Sequence, residues 1–261
     1  IISSYITTKN YAGALDQLKN KKTAKERGLF QKVAFYQGND YFKDEKYDLA
    51  KENFTNSLTA PVDGIITAQT TFWRGESNYR LDNFTDAIID FKSFSSKSEA
   101  SKTPEYEHLN YNLAYAYFKQ KEYANAIDAF KKYIQKSNSD LIRKNDSYLR
   151  IGDGYFISSS YKSAIEYYNN ALNMNGIDSD YAQFQKAICY GLIGDERAKI
   201  NELNSFLKKY TKSIYSDDAY FVLGNSYIKT NKNEFALESF EKLISNYNRS
   251  PLVSQAMLKK G

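Results

Sequence analysis

The stretch GDGYFISSSYKSAIEYY, residues 152–168, decides the fold because closely similar patterns occur at six other places in the chain. Those copies begin at residues 2, 38, 75, 114, 187 and 224, and an eighth copy begins at Gly261. Successive copies start 36, 37, 39, 38, 35 and 37 residues apart, which is a period typical of repeated helical hairpins. Internal repetition therefore organises the whole sequence.

Each copy contains two runs of apolar residues at helical spacing, separated by a short polar turn. In the copy that begins at residue 114 the runs are Ala114, Tyr117 and Phe118, then Tyr123, Ala126, Phe130 and Tyr133. The polar turn between them is KQKE, residues 119–122. A turn this short forces the two helices to run antiparallel. The sequence therefore predicts an all-α fold, an α-solenoid of antiparallel helix hairpins.

Small residues mark the places where two helices approach closely. The first helices carry Gly38, Gly75, Ala114, Gly152, Ala187 and Gly224, and the second helices carry Ala50, Ala87, Ala126, Ala164 and Ala236. Glycine inside a helix costs about 1 kcal/mol relative to alanine, so four glycines in six copies indicate a packing requirement. Lys199 interrupts the second row, and we expect the hairpin over residues 187–210 to pack differently.

The net charge of +5 is confined to one end of the chain. Residues 1–35 hold seven Lys and Arg against two Asp and Glu, whereas residues 36–261 hold 29 of each sign. A nucleic-acid-binding protein carries a basic stripe along its binding surface, so the neutral body argues against a nucleic-acid partner, including RNA. Six of these seven basic residues cluster together, namely Lys19, Lys21, Lys22, Lys25, Arg27 and Lys32. We expect a solvated turn and helix start there rather than a phosphate site.

No apolar run approaches the roughly 18 residues that a membrane-spanning helix needs, so we expect no direct membrane insertion. The sequence has neither an initiator Met nor a charged-then-apolar leader, and its two ends both lie inside repeats. We therefore expect it to be part of a longer protein whose remaining repeats are partners of this segment. Cys189 lies in the apolar stretch AICYGLI, which predicts a buried, inert thiol rather than a nucleophile.

The repeated pattern resembles the tetratricopeptide repeat, as in Gly152, Tyr155, Tyr161, Ala164 and Tyr168. The resemblance covers essentially all 261 residues and implies a single right-handed superhelical array. The implied divisions are a partial repeat over residues 1–24, repeats over about 27–63, 64–102, 103–140, 141–176, 177–213 and 214–249, and a partial repeat over 250–261. The early Trp of the family occurs only as Trp73, at a neighbouring position, and the closing Pro is kept only near Pro61 and Pro251.

The last copies resemble a particular kind of tetratricopeptide repeat. Asp-Asp-Ala opens a first helix at residues 217–219, and Tyr-x-x-Ser-Pro over residues 247–251 opens the next. These features are similar to repeats of the TolA-binding periplasmic protein, of outer-membrane assembly lipoproteins and of long exported multi-repeat proteins. The resemblance implies a periplasmic or outer-membrane-associated protein of a bacterial cell envelope, with a cytoplasmic protein as the alternative.

In this family the first helices line a concave groove, and aligning the copies predicts which side chains face it. The middle row of the predicted groove is Asn39, Glu76, Tyr115, Asp153, Ile188 and Asn225, flanked by two more apolar rows that are typical of packing between helices. Carboxylates and amides framed by aromatic rings suit an extended peptide. The candidate binding residues are Asn39, Phe72, Glu76, Tyr79, Tyr111, Tyr115, Asp153 and Asn225. Lys43, Arg80, Lys119 and Lys229 recur at the ends of first helices, where they form a basic rail for an acidic partner or simply favour the helix C-termini.

The sequence gives less support for other ligands, such as a C-terminal carboxylate or a metal ion. Family members that clamp the C-terminal carboxylate of chaperones use Lys, Asn and Arg, but only Asn39 matches, since Phe35, Trp73 and His108 occupy the other places. His108 has no second histidine or spaced carboxylate set near it, so a surface histidine is expected rather than a metal ligand. We predict no cofactor.

No catalytic motif occurs in the sequence, and the predicted function is a non-catalytic scaffold that binds a peptide or protein partner. The alternative is a glycan- or peptidoglycan-binding module of the envelope. In that hypothesis Tyr79, Tyr111 and Tyr115 stack on sugar rings, while Glu76 and Asp153 accept hydrogen bonds from sugar hydroxyls.

Overall fold

A computed structural model describes residue 8, residues 10–136 and residues 140–260. Every regular element in these residues is a helix, which confirms the predicted all-α class. The chain forms two compact units, Ile1–Gln135 and Lys136–Gly261. In each unit consecutive helices pack as antiparallel hairpins, the arrangement of an α-solenoid.

The described part of the first unit contains seven α-helices. They are α1 (Tyr11–Gln17), α2 (Ala24–Lys43), α3 (Tyr47–Leu58), α4 (Gly64–Arg80), α5 (Phe84–Ser95), α6 (Leu109–Lys119) and α7 (Tyr123–Ile134). The described part of the second unit also contains seven. They are α8 (Leu141–Ile157), α9 (Tyr161–Asn173), α10 (Ser179–Leu192), α11 (Glu196–Lys209), α12 (Ser216–Lys229), α13 (Asn233–Asn246) and α14 (Val253–Lys260).

The six hairpin turns that the structure describes in full have the same backbone hydrogen-bond pattern. The amide of the residue that precedes each second helix donates to the carbonyl five residues earlier, at 2.8–2.9 Å. The donor and acceptor pairs are Lys46 and Tyr41, Asn83 and Asn78, Glu122 and Tyr117, Ser160 and Tyr155, Asp195 and Tyr190, and Lys232 and Tyr227. This bond is the signature of a Schellman motif, which closes the C-terminus of a helix and reverses the chain.

The residue before each of these amide donors has a left-handed backbone. These residues are Glu45, Asp82, Lys121, Ser159 and Asn231, with φ between 57° and 62°, and Gly194, with φ of 85°. Only glycine adopts this conformation without a steric cost, and asparagine and aspartate tolerate it better than most other residues. At the other three turns, Glu45, Lys121 and Ser159 adopt a conformation that their residue types do not predict.

The small residues of the first helices make room for a side chain of the second helix. An ideal Cβ built on Gly38 would lie 2.6 Å from the ring of Phe54, and one on Gly152 would lie 2.7 Å from Tyr168. In both cases the ring belongs to the residue sixteen positions later, and both rings are fully buried. The prediction of a packing requirement at these glycines is confirmed.

The hairpin of α10 and α11 does pack differently, as predicted. Gly191 stands where the other hairpins have larger side chains, and the stem of Lys199 fills the space beside it. A Cβ on Gly191 would lie 2.8 Å from Lys199 Cδ. In the other hairpins a large side chain on the first helix faces a small one on the second helix. In this hairpin glycine is on the first helix and lysine on the second, so the combined side-chain volume is conserved.

Polar side chains join successive hairpins within each unit. In the first unit Gln31 on α2 donates to Thr67 Oγ1 at 2.8 Å and accepts from the backbone amide of Asp63 at 2.8 Å. In the second unit Ser213 donates to Asp180 at 2.6 Å, and Ser250 donates to Asp217 at 2.6 Å. These bonds satisfy the ends of first helices and fix the offset between neighbouring hairpins.

The link between α5 and α6 is irregular. The residues Thr103 and Pro104 match a helix start, and a helix does begin there. It is a short 3-10 helix, Pro104–Glu107, with no side-chain cap, and α6 begins only at Leu109. The Thr103 hydroxyl donates instead to the carbonyl of Ala100 at 2.7 Å.

Candidate functional site

The first unit brings several predicted groove residues onto neighbouring first helices. Glu76 on α4 accepts a hydrogen bond from Asn112 Nδ2 on α6 at 2.5 Å. Asn112 and Tyr115 are three residues apart and therefore share one face of α6. Glu76 and Tyr115 are both half-buried. The hydrogen bond joins α4 to α6, the helix that carries Tyr115.

Tyr111 and Tyr115 form a supported aromatic pair on α6. Their ring centroids are 5.0 Å apart in an edge-to-face arrangement, and the ring of Tyr115 lies 5.2 Å from the buried ring of Phe130. Tyr111 also contacts Phe130 and Tyr133. Because both rings pack on core aromatics and stay half-buried, they form a rigid surface that a ligand can contact.

The remaining aromatic candidates of the first unit belong more to its core. Phe72 is 3% exposed, and its ring packs 5.5 Å from Phe91 and 5.3 Å from Phe94. Tyr79 packs edge-on against Phe84 at 5.6 Å and stays half-buried. Phe72 was predicted as a binding residue, but the structure buries it among core aromatic rings, which corrects that assignment.

Asn39 and Asn225 are half-buried on the first helices α2 and α12. The four cations of the predicted rail are all exposed. Arg80 lies over the ring of Tyr47, 5.9 Å from its centroid. Lys229 pairs with Glu196 Oε1 at 2.6 Å, so its charge is neutralised within the second unit.

Asp153 lies inside the second unit, where it joins three helices. Its Oδ1 accepts from the hydroxyls of Tyr168 on α9 and Tyr181 on α10, both at 2.8 Å, and its Oδ2 accepts from Arg150 at 2.6 Å. The residue is 7% exposed. Sequence alignment placed Asp153 in the groove row, but its carboxylate oxygens are satisfied by protein groups, as buried charges require.

Burial controls the titration of this cluster. Burial raises the pKa of Asp153, and the nearby Arg150 guanidinium and the two tyrosine hydroxyls only partly offset that effect. Burial and the adjacent Asp153 carboxylate also raise the pKa of Tyr168 and of Tyr181. The same two causes raise the pKa of Cys189 to about 12. Cys189 is buried, as the sequence predicts, and its thiol stays protonated at neutral pH.

Across the described residues, no group of three or more His, Cys, Asp or Glu side chains is arranged to hold a metal ion. His108 is half-buried immediately before α6. Within the same residues, no helix is both long enough and apolar enough to cross a membrane.

One polar site was not predicted from the sequence. A cavity of about 240 Å³ lies between α3, α4 and α5, and its wall includes Lys51, Arg74, Asn78 and Asp90. Arg74 donates to both carboxylate oxygens of Asp90, at 3.0 and 2.6 Å, and Asn78 Nδ2 donates to the same carboxylate at 3.0 Å. The available sequence signal is Asn78 itself, which stands where the other hairpins have tyrosine.

Comparison with known proteins supports the repeat interpretation. Two models of the tetratricopeptide repeat match residues 96–140 and residues 217–248. A TPR repeat-containing protein of Methanocaldococcus jannaschii is 31% identical over 143 residues, a match that spans 54% of this chain and 23% of that protein.

Two solved structures share the fold across most of the chain. The C-terminal part of a TPR repeat-containing protein from Cytophaga hutchinsonii superposes with a TM-score of 0.69 at 13% identity, covering 98% of this chain and 97% of that one. YrrB, described as a TPR protein with an unusual peptide-binding site, superposes with a TM-score of 0.58 at 18% identity, covering 78% and 97% of the two chains. The chain thus has the fold of these proteins and carries tetratricopeptide repeats at residues 96–140 and 217–248.

Proposed function

We propose that the chain is a non-catalytic scaffold that binds a peptide or protein partner through the exposed face of its first helices. The observation that carries the proposal is the half-buried pair of Tyr111 and Tyr115 rings on α6, the helix whose Asn112 donates to Glu76 of α4. A carboxylate accepts backbone N–H groups of an extended peptide, and a neighbouring aromatic ring supplies apolar contact. Rings already held by Phe130 lose little conformational freedom when a partner binds.

Charge reversal at Glu76 tests the proposal. Affinity capture from an extract of the producing organism, with mass spectrometry, should identify a protein that the parent chain retains and Glu76→Lys loses. Glu52→Lys is the matched control, because Glu52 is an exposed glutamate on the second helix α3. The control should retain the same protein, and circular dichroism should show equal helicity for all three chains. Equal retention by all three, or retention of muropeptides instead of a protein, would contradict the proposal.

The exposed cations of the first unit indicate the charge of the partner. Lys43, Arg80 and Lys119 are exposed at the ends of α2, α4 and α6. We infer that acidic side chains of the partner contact them. Exposed charge pairs are screened by salt, so the affinity measured for the captured partner should fall as NaCl is raised. An affinity that does not change with salt would show that these cations do not contribute to binding.

We also propose a location in a bacterial cell envelope, supported by the resemblance of the last copies to repeats of periplasmic and outer-membrane proteins. Fractionation of producing cells should find the protein with periplasmic or outer-membrane markers. Recovery with cytoplasmic markers would contradict that location. A single array of tetratricopeptide repeats over residues 1–261 likewise remains a prediction from the regular spacing of the copies.

A further inference from the structure

The first helix α4 carries a tryptophan on its accessible face that the groove prediction did not include. Trp73 lies three residues before Glu76, so the two side chains share one face of the helix, and Trp73 is half-buried. The equivalent residue of α2 is Tyr36, which is 38% exposed. Together with Tyr115 on α6, these residues give each described first helix of the first unit an aromatic ring on its accessible face.

The Trp73 ring is held in a fixed orientation between its two neighbouring first helices. Its centroid lies 5.0 Å from the ring of Phe42 on α2 and 5.7 Å from the ring of Phe72. Its Nε1 donates to Glu105 Oε1, just before α6, at 2.9 Å. Gln69 Nε2 donates to the same carboxylate oxygen at 3.1 Å. A ring that is already positioned in this way loses little conformational freedom when a ligand covers it.

The spacing of the first helices matches one particular conformation of a peptide. In the first unit α2 contacts α4, and α4 contacts α6. Helices in contact lie about 8–10 Å apart. A polyproline II segment advances about 9 Å in three residues, which make one full turn, so every third residue faces the same side. A β-strand advances a similar distance in three residues but turns successive side chains to opposite faces. The three rings therefore suit a residue repeated at every third position.

The polar groups beside these rings are mainly hydrogen-bond donors. The basic rail of Lys43, Arg80 and Lys119 is exposed on the same three helices, and the Glu76 carboxylate already accepts from Asn112. Proline has a carbonyl group but no N–H group, so a proline-rich segment accepts more hydrogen bonds than it donates. An α-helical ligand keeps its carbonyl groups within its own backbone ladder. The donors of this face therefore favour a proline-rich segment over a helix.

We propose that the first unit binds a proline-rich, acidic segment in the polyproline II conformation, with prolines three positions apart resting on Tyr36, Trp73 and Tyr115. The inference rests on the proposed scaffold function and names the class of its ligand. Aromatic rings pack against the pyrrolidine ring, and a segment that already holds this conformation loses little entropy on binding. Acidic residues between the prolines pair with the basic rail, and their backbone N–H groups are available to Glu76.

Tryptophan fluorescence of the full chain tests the proposal, because Trp73 is the only tryptophan. The probe is a peptide of Pro-Glu-Ala repeated four times, with blocked termini and no aromatic residue. Three control peptides each change one property. Alanine in place of proline removes the polyproline II conformation, Pro-Glu-Ala-Ala repeats move the prolines off one face, and lysine in place of glutamate reverses the charge.

We expect the Pro-Glu-Ala peptide to change the Trp73 emission saturably and each control peptide to bind at least about tenfold more weakly. Tyr36→Ala should weaken binding of the Pro-Glu-Ala peptide by at least about fivefold. Tyr106→Ala is the matched control, because Tyr106 is 39% exposed and its ring lies 6.4 Å from Phe94 on the second helix α5. The control should bind like the parent chain, and circular dichroism should show equal helicity for all three chains.

Three results would overturn the proposal: no saturable change with the Pro-Glu-Ala peptide, equal binding of the alanine peptide, or unchanged binding by Tyr36→Ala. Equal binding of the alanine peptide would indicate a helical ligand instead. The capture experiment with Glu76→Lys tests the scaffold proposal separately. A protein that the parent chain retains and Glu76→Lys loses supports that proposal even when the peptides fail, so the two failures are distinguishable.

Discussion

A methyl group added at Gly224 should destabilise the second unit, although alanine is the better helix former. Gly224 lies within α12, and an ideal Cβ there would lie 2.5 Å from Cε1 of Phe240 on α13. The Phe240 ring is 1% exposed, so it is enclosed by other protein atoms. The added methyl group must therefore push the two helices apart or force the ring from its rotamer.

Two opposing terms set the size of the effect. Replacing glycine by alanine inside a helix contributes about 1 kcal/mol of stability, whereas overpacking a filled core costs about 1–3 kcal/mol. We expect Gly224→Ala to lower the free energy of unfolding by about 1 kcal/mol, because the buried Phe240 ring must shift to admit the added methyl group. Gly28→Ala is the matched control, since a Cβ there would lie 3.6 Å from Val62, an ordinary contact. The control should be stabilised by roughly 0.5–1 kcal/mol.

Urea denaturation followed by far-UV circular dichroism measures both variants, with the midpoint compared at an unchanged m-value. Phe240→Leu in the Gly224→Ala background should recover part of the loss, because Ala187 and Leu203 hold these two positions in the hairpin of α10 and α11. If Gly224→Ala raised the midpoint as much as Gly28→Ala does, the packing explanation of the glycine row would be refuted.

Four further predictions follow from the turns, the buried ion pairs and the thiol. Gly194→Ala should destabilise the chain by about 1 kcal/mol in a urea titration, because φ is 85° there while no neighbouring atom lies within 4 Å. Burial raises the pKa of Asp153 in the folded chain above the ordinary value of 3.8, so the stabilisation from this group is present below that value and is lost as pH rises through the folded pKa. The loss of unfolding free energy caused by Asp153→Asn, measured by urea denaturation, should accordingly be smaller at neutral pH than near pH 3.8. Cys189 should react with a thiol reagent only after unfolding, so equal labelling rates in native buffer and in denaturant would contradict its burial. Arg74→Leu should cost about 3 kcal/mol by leaving the Asp90 carboxylate unpaired, whereas adding Asp90→Ala, as in the next hairpin, should restore much of the thermal midpoint.

Several parts of the molecule were accessible from the sequence because they depend on local spacing. The period of the copies and the two helical runs in each predict the hairpins. The glycine row predicts close packing, which Gly38 and Gly152 confirm against Phe54 and Tyr168. Such patterns predict the fold without knowledge of which helices pair, because apolar residues at helical spacing face a neighbouring helix in any case.

Whether an individual polar side chain is buried or accessible was decided by the tertiary structure. Alignment places Asp153 in the same row as Glu76, yet Asp153 bonds Tyr168 and Tyr181 inside the second unit, whereas Glu76 bonds Asn112 and stays half-buried. The difference arises because burial depends on the lengths of the side chains that meet from two or three hairpins, and no single copy contains that information.

By itself the sequence determined that this protein is a chain of helix hairpins with small residues at their contacts. The tertiary structure alone decided which turn residues adopt the left-handed backbone, as at Lys121 and Ser159, and where the missing ring at Asn78 leaves a polar cavity. Both depend on the distance and offset between neighbouring helices. Periodicity in the sequence specifies that helices meet, and only their packed geometry specifies how much room remains between them.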